Sequence, residues 1–145
     1  MLRKPINNDP INTLHKYYIW ANRMRTHFDE LLDQDIKRRI NDQKRFLIET
    51  DMYMSLWYGL LYVVIEGWQE LELKDTMVDS LIKNKNTDLL KNYRHGVFHF
   101  HKIDSDIKFE KFFQEETTVE WIRTLNREFG RWFLNYYKQE KYAEA

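Results

Sequence analysis

Cysteine is absent from this 145-residue chain, which removes disulfides, thiolate metal sites and cysteine nucleophiles together. A reducing cytoplasm is the compartment this leads us to expect. Glycine and proline are almost as scarce, at four and two, too few for the turns an all-β fold requires, so helix is the default. Neither charge is in excess: 23 basic and 23 acidic residues cancel. That balance argues against a broad, sequence-blind grip on nucleic acid and leaves room only for a local basic track. A long apolar run is missing too. The most apolar stretch, residues 52–65, spans about 14 positions broken by three tyrosines and Gly59, against the ~20 needed to cross a bilayer. No membrane association is expected. The charges near Met1 have no apolar run behind them, so the N-terminus does not read as a signal peptide. Glycine-rich phosphate loops, serine-hydrolase elbows and DNA-reading motifs are also lacking, which disfavours nucleotide-dependent and serine-hydrolase classes.

What the chain does have is aromatic and aliphatic material. Hydrophobic residues make up 43% and aromatics 16%, enough for one compact core built on large flat side chains. The expected architecture is all-α, an irregular bundle of five or six helices in a single domain over residues 1–145, frayed at 1–8 and 139–145. Asp9 and Pro10 start a first helix over 10–32, whose apolar positions recur at helical spacing with Arg25 as the one break. A short charged helix is expected between 33 and 46, and a central, nearly all-apolar helix over 52–73. A two-turn helix follows over 75–83. Another, capped by Asn86 or Thr87, carries Leu89, Leu90 and Tyr93. Asp104, Ser105 and Asp106 read as a loop before Phe109, Phe112 and Phe113. Thr117 and Glu120 form a capping box for a last helix lined by Ile122, Leu125, Phe129, Trp132, Phe133 and Tyr136, ending near Tyr137.

The chemistry concentrates between Asn92 and His101. Three of the five histidines, His95, His99 and His101, lie within that stretch beside Arg94. Histidine suits proton transfer near neutrality, and the planar arginine fork suits phosphate. The two together are the minimum for phosphodiester cleavage without a metal. On an ideal helix Arg94 and His99 stand roughly 140° apart, Arg94 and His101 about 20° apart, and His95 and His99 share a face. All three pairings stay open at this level.

An arginine, then a polar residue, then a histidine four to six positions after the arginine, on a helix of an all-α domain, resembles the HEPN family. Arg94, His95 and His99 fit that pattern, and His101 fits its longer spacing. The resemblance implies a metal-independent endoribonuclease without cofactor, in which Arg94 and His99 act as an RNA 2′-hydroxyl attacks the adjacent phosphate. It also implies a homodimer whose two motifs face one cleft, and a role as a toxin or defence component with an antitoxin or other partner still to be named.

Other readings stand beside it. Arg94 can pair with an acidic neighbour while the histidines sit at a helix C-terminus, where cations are favoured; the domain is then a non-catalytic binding module. His95 and His99 have the spacing of two metal ligands, needing His15, His27 or Glu66 as a third for a metal-dependent hydrolase; no site at diagnostic spacing is evident, so no metal is expected. Glu66, ending the most apolar helix, either partners Arg94 or lies on an exposed edge. Arg123, Arg127 and Arg131 form a basic stripe that either follows an RNA backbone or is consumed by ion pairs with residues such as Glu120 and Glu128. Trp57, Tyr58, Tyr62 and Trp68 read as core rather than base-stacking residues.

Overall fold

A computed structural model of the chain describes residues 9–34, 43–102 and 116–143. Among them are five helices and no strand: α1 (Pro10–Asp33), α2 (Gln43–Glu70), α3 (Thr76–Ile82), α4 (Asn86–Val97) and α5 (Glu116–Ala143). The expected all-α class is what forms, with α2 at the centre and α1, α4 and α5 packed around it.

The start of α1 follows from its sequence. The Asp9 carboxylate accepts the Ile11 N–H at 3.0 Å, satisfying a donor that the first turn leaves unpaired. Pro10 occupies the first turn, where its missing N–H costs nothing. α1 runs antiparallel to α2, so that Leu14 meets Gly67 and Phe28 meets Trp57. Gly67 is required by that approach, since a Cβ there would run into the buried Leu14 side chain.

α2 supplies Trp57, Leu61, Val64, Ile65 and Trp68 to the core, and α5 answers with Ile122, Leu125, Phe129 and Phe133, all fully buried. Each such side chain contributes ~1.5–3 kcal/mol through burial. The indole N–H groups inside this core all find acceptors. Trp57 donates to Asn126 Oδ1 at 3.1 Å, Trp68 to Asp79 Oδ1 at 2.9 Å, and Trp121 to the Leu81 carbonyl at 2.9 Å. Asn126 passes the chain on, donating from Nδ2 to Asn22 Oδ1 at 3.1 Å and so tying α5 to both α1 and α2.

Several boundaries differ from those read off the sequence. Residues 35–42 of the expected charged helix lie outside the described residues, and its last residues belong to α2, which begins at Gln43. α2 stops at Glu70, where Glu72 takes a positive φ of 54° and the Leu73 N–H turns back to the Trp68 carbonyl. Neither Asn86 nor Thr87 caps α4. The cap position is Lys85; Asn86 is buried and accepts a hydrogen bond from Thr118, while the Thr87 hydroxyl donates to the Ile82 carbonyl at 2.6 Å. The Asn84 side chain accepts the Asn86 N–H instead. Thr117 is already inside α5 and so forms no capping box, and α5 continues past Tyr137 to Ala143. Residues 1–8, the loop and phenylalanines over 104–113, and residues 144–145 lie outside the described residues.

Candidate functional site

α4 lies across the face of α2 that carries Ser55, Gly59, Tyr62 and Glu66. Ser55 and Tyr93 share a hydrogen bond at 3.0 Å across the two helices, and the Tyr58 and Tyr93 rings meet edge to face. Tyr93 is thereby anchored in the core, which turns its neighbour Arg94 along the surface of α2. There the Arg94 guanidinium lies over the Tyr62 ring, 4.8 Å from its centroid, and Nη1 contacts Glu66 Oε1 at 2.7 Å. Of the two alternatives for Glu66, the structure shows the pair with Arg94, made by a side chain that stays 44% exposed, against 23% for Arg94. Burial, with the Glu66 charge behind it, pushes the Tyr62 phenol above its ordinary range.

The contact to Glu66 uses one terminal nitrogen of the guanidinium. Arginine has five N–H donors, and no hydrogen bond from Nη2 or Nε of Arg94 is made among the described residues. The geometry fixes the direction of the fork without filling it.

The histidines do not continue on the helix. α4 ends at Val97, Phe98 stands at the cap position with φ −93° and ψ 11°, and the His99 N–H bonds back to the Gly96 carbonyl at 3.3 Å. The angular separations of an ideal helix therefore stop applying two residues before His99. His101 Nε2 lies 3.0 Å from the same Gly96 carbonyl, so its ring folds back on the end of the helix. His95 and His99 are exposed, and neither makes a hydrogen bond or ion pair among the described residues. The helix ends with Arg94 and His95 in its last turn, where the carbonyl end of the dipole favours positive charge. Between His95 and His99, the Phe98 ring lies against Gly59 so closely that a Cβ at residue 59 would come within 2.7 Å of it.

The other residues singled out from the sequence go elsewhere. His15 sits between the rings of Phe133 and Tyr137, and burial lowers its pKa below 6.5. His27 lies tilted against the Tyr53 ring, 5.2 Å between centroids, and 3.7 Å from Glu30. Neither joins His95 and His99, and the described residues hold no group of three potential metal ligands. Arg123 and Arg131 are spent on carboxylates: Arg123 on Asp29 at 2.7 Å, Arg131 on Asp75 at 2.7 Å and on Glu128. Of the three, Arg127 alone is without an ion pair among the described residues. Trp57, Tyr58, Tyr62 and Trp68 are core residues.

No protein-family model, no curated protein and no solved structure matches this chain significantly.

One polar cluster escaped the sequence. Arg25, which breaks the apolar stripe of α1, donates to Asn22 at 2.9 Å and to Asp29 at 2.8 Å, and Asp29 also receives Arg123. Burial pushes the Asp29 carboxyl up, but hydrogen bonds and charge from Arg123 and Arg25 outweigh it and hold the group below its ordinary range. The misfit arginine was the available signal. The cluster joins α1 to α5 and reads as a structural clasp, since each of its charges already faces an opposite one.

Proposed function

We propose that this chain is a HEPN-like, metal-independent endoribonuclease, with Arg94 as the phosphate-binding cation and His99 as a proton-transfer group. The observation that carries the reading is the held but unfilled guanidinium of Arg94, followed within five residues of sequence by His95 and His99, both exposed and without a hydrogen bond or ion pair among the described residues. Glu66 and Tyr62 act as positioning residues, because a fork already aimed loses little freedom when it takes a phosphate.

In this reading an imidazole removes the proton of an RNA 2′-hydroxyl, and that oxygen attacks the adjacent phosphorus. Arg94 steadies the charge gathering on the non-bridging oxygens. The bond to the 5′-oxygen breaks, and that oxygen leaves with a proton from a second imidazole. His99 serves one transfer; His95 or His101, or a histidine of a second copy facing the first, serves the other. The products are a 2′,3′-cyclic phosphate and a 5′-hydroxyl. Incubation with a panel of structured and unstructured RNAs in EDTA tests the proposal. Fragments with cyclic-phosphate ends are expected, and an intact panel overturns it.

One observation favours a second reading. The Arg94–Glu66 pair joins α4 to α2 and half-neutralises the arginine, as a binding module with no chemistry would also arrange it. Arg94→Ala then loosens the fold and nothing else, whereas the ribonuclease loses its activity.

A further inference from the structure

Beyond Arg94, the end of α4 carries two apolar rings in water. Phe100 is 90% exposed and Phe98 is 59% exposed. Large aromatic side chains normally pay for their place by burial, and these two alternate with His95, His99 and His101 over a few residues. From Lys91 to Lys102 the chain holds Lys91, Arg94, Lys102 and the three histidines and not one carboxylate. In a molecule with no net charge, that is a basic stretch of chain carrying two exposed rings, met by the Glu66 carboxylate of α2 at Arg94. Phosphates of an unpaired strand suit the cations and its bases suit the rings, because every base has a face on which an aromatic ring can stack. A duplex keeps its base faces inside and offers the rings nothing.

We propose that Phe98 and Phe100 are base-stacking residues that seat an unpaired RNA strand with its backbone at Arg94. This rests on the ribonuclease reading and adds the residues that select its substrate. Phe100 carries the larger share, since Phe98 is partly occupied against Gly59. Its exposure also makes it a safe position to change, because exposed side chains away from packing contacts leave stability nearly untouched.

The test is fluorescence anisotropy with a labelled 2′-O-methyl oligouridine 12-mer, which lacks the attacking hydroxyl and stays intact. Wild-type protein is expected to bind it at least tenfold more tightly than a duplex of equal length. Phe100→Ala should weaken the single strand about tenfold, on the scale of one lost stacking contact, and Phe100→Trp should restore it. Absence of binding, equal binding of duplex, or unchanged binding by both Phe100→Ala and Phe98→Ala overturns the proposal. Cleavage separates the two claims. If wild type, Phe100→Ala and Phe98→Ala all cut and bind alike, stacking fails and the ribonuclease stands; if the oligomer binds through these rings but no RNA is ever cut, stacking stands and the ribonuclease fails.

Discussion

Asn126 concentrates the demands that burial places on a polar side chain. Its oxygen takes the Trp57 N–H, its nitrogen serves Asn22, and it is almost wholly buried. Asn126→Leu keeps the volume and strands the indole donor, so a loss of about 1–3 kcal/mol is expected in urea melts followed by circular dichroism. Arg94 makes a contrast. Its pair with Glu66 is part-exposed and screened, worth at most about 1 kcal/mol to the fold, so the arginine can be removed without unfolding the domain. The pair itself was one of two alternatives the sequence left open for Glu66, because the apolar pattern of its helix does not fix the rotation that decides whether the carboxylate meets Arg94. The placement of His99 was not legible either. Periodicity carries a helix forward until some signal stops it, and nothing in Val97-Phe98-His99 announces that α4 ends there. The links that tie this network to α5, Asn126 to Asn22 and Arg123 to Asp29, were illegible because they span 104 and 94 residues, beyond the reach of any local pattern; only the local bonds of Arg25 to Asn22 and Asp29 lay within it.

Between elements, close approach decides the outcome. α1 can lie against α2 because Gly67 presents no Cβ to Leu14. Gly67→Ala gains about 1 kcal/mol of helix propensity and forces the buried leucine aside, at about 1–3 kcal/mol. A net lowering of the thermal midpoint is expected, and a rise would show that α1 slides freely. Helix positions were legible for α1, α3 and most of α5, where an apolar stripe coincides with a cap or a turn. The start of α2 was missed because its first turns show no clean apolar face: Ile48 and Met52 there are exposed while Thr50 is buried. The end of α5 was missed for a related reason: beyond Tyr137 the stripe fades, yet the helix goes on to Ala143. Its last turns are tied to α1, Tyr136 to Asp9 at 2.7 Å and Tyr137 to Asn12 at 2.6 Å.

For the whole molecule, these buried and paired groups set the pH range of stability. Burial lowers His15, so its contribution is complete above 6.5 and lost as the pH falls below that. Further down, Asp29 and Asp75 matter: burial raises each, their arginine partners more than reverse this, and stability drains away as the pH falls below the usual carboxylate range. At the alkaline end, burial pushes the Tyr93 phenol up to about 12 and Tyr58 higher still. Their neutral forms stabilise the fold fully below about 10, and that part is lost as the pH rises through the folded values. A thermal-midpoint profile flat from about 7 to 10, falling on both sides, is expected; a midpoint that rises above pH 10 contradicts the burial of these tyrosines. No described helix is long and apolar enough to cross a membrane.

The most direct test of the account compares RNA cleavage by wild type, Arg94→Ala and His99→Ala in EDTA, with thermal midpoints measured on the same samples. His99 is exposed and unpartnered among the described residues, so His99→Ala should melt like wild type while losing at least a hundredfold in rate, the usual scale of a proton-transfer group. A His99→Ala protein that cuts as fast as wild type would contradict the assignment of this site.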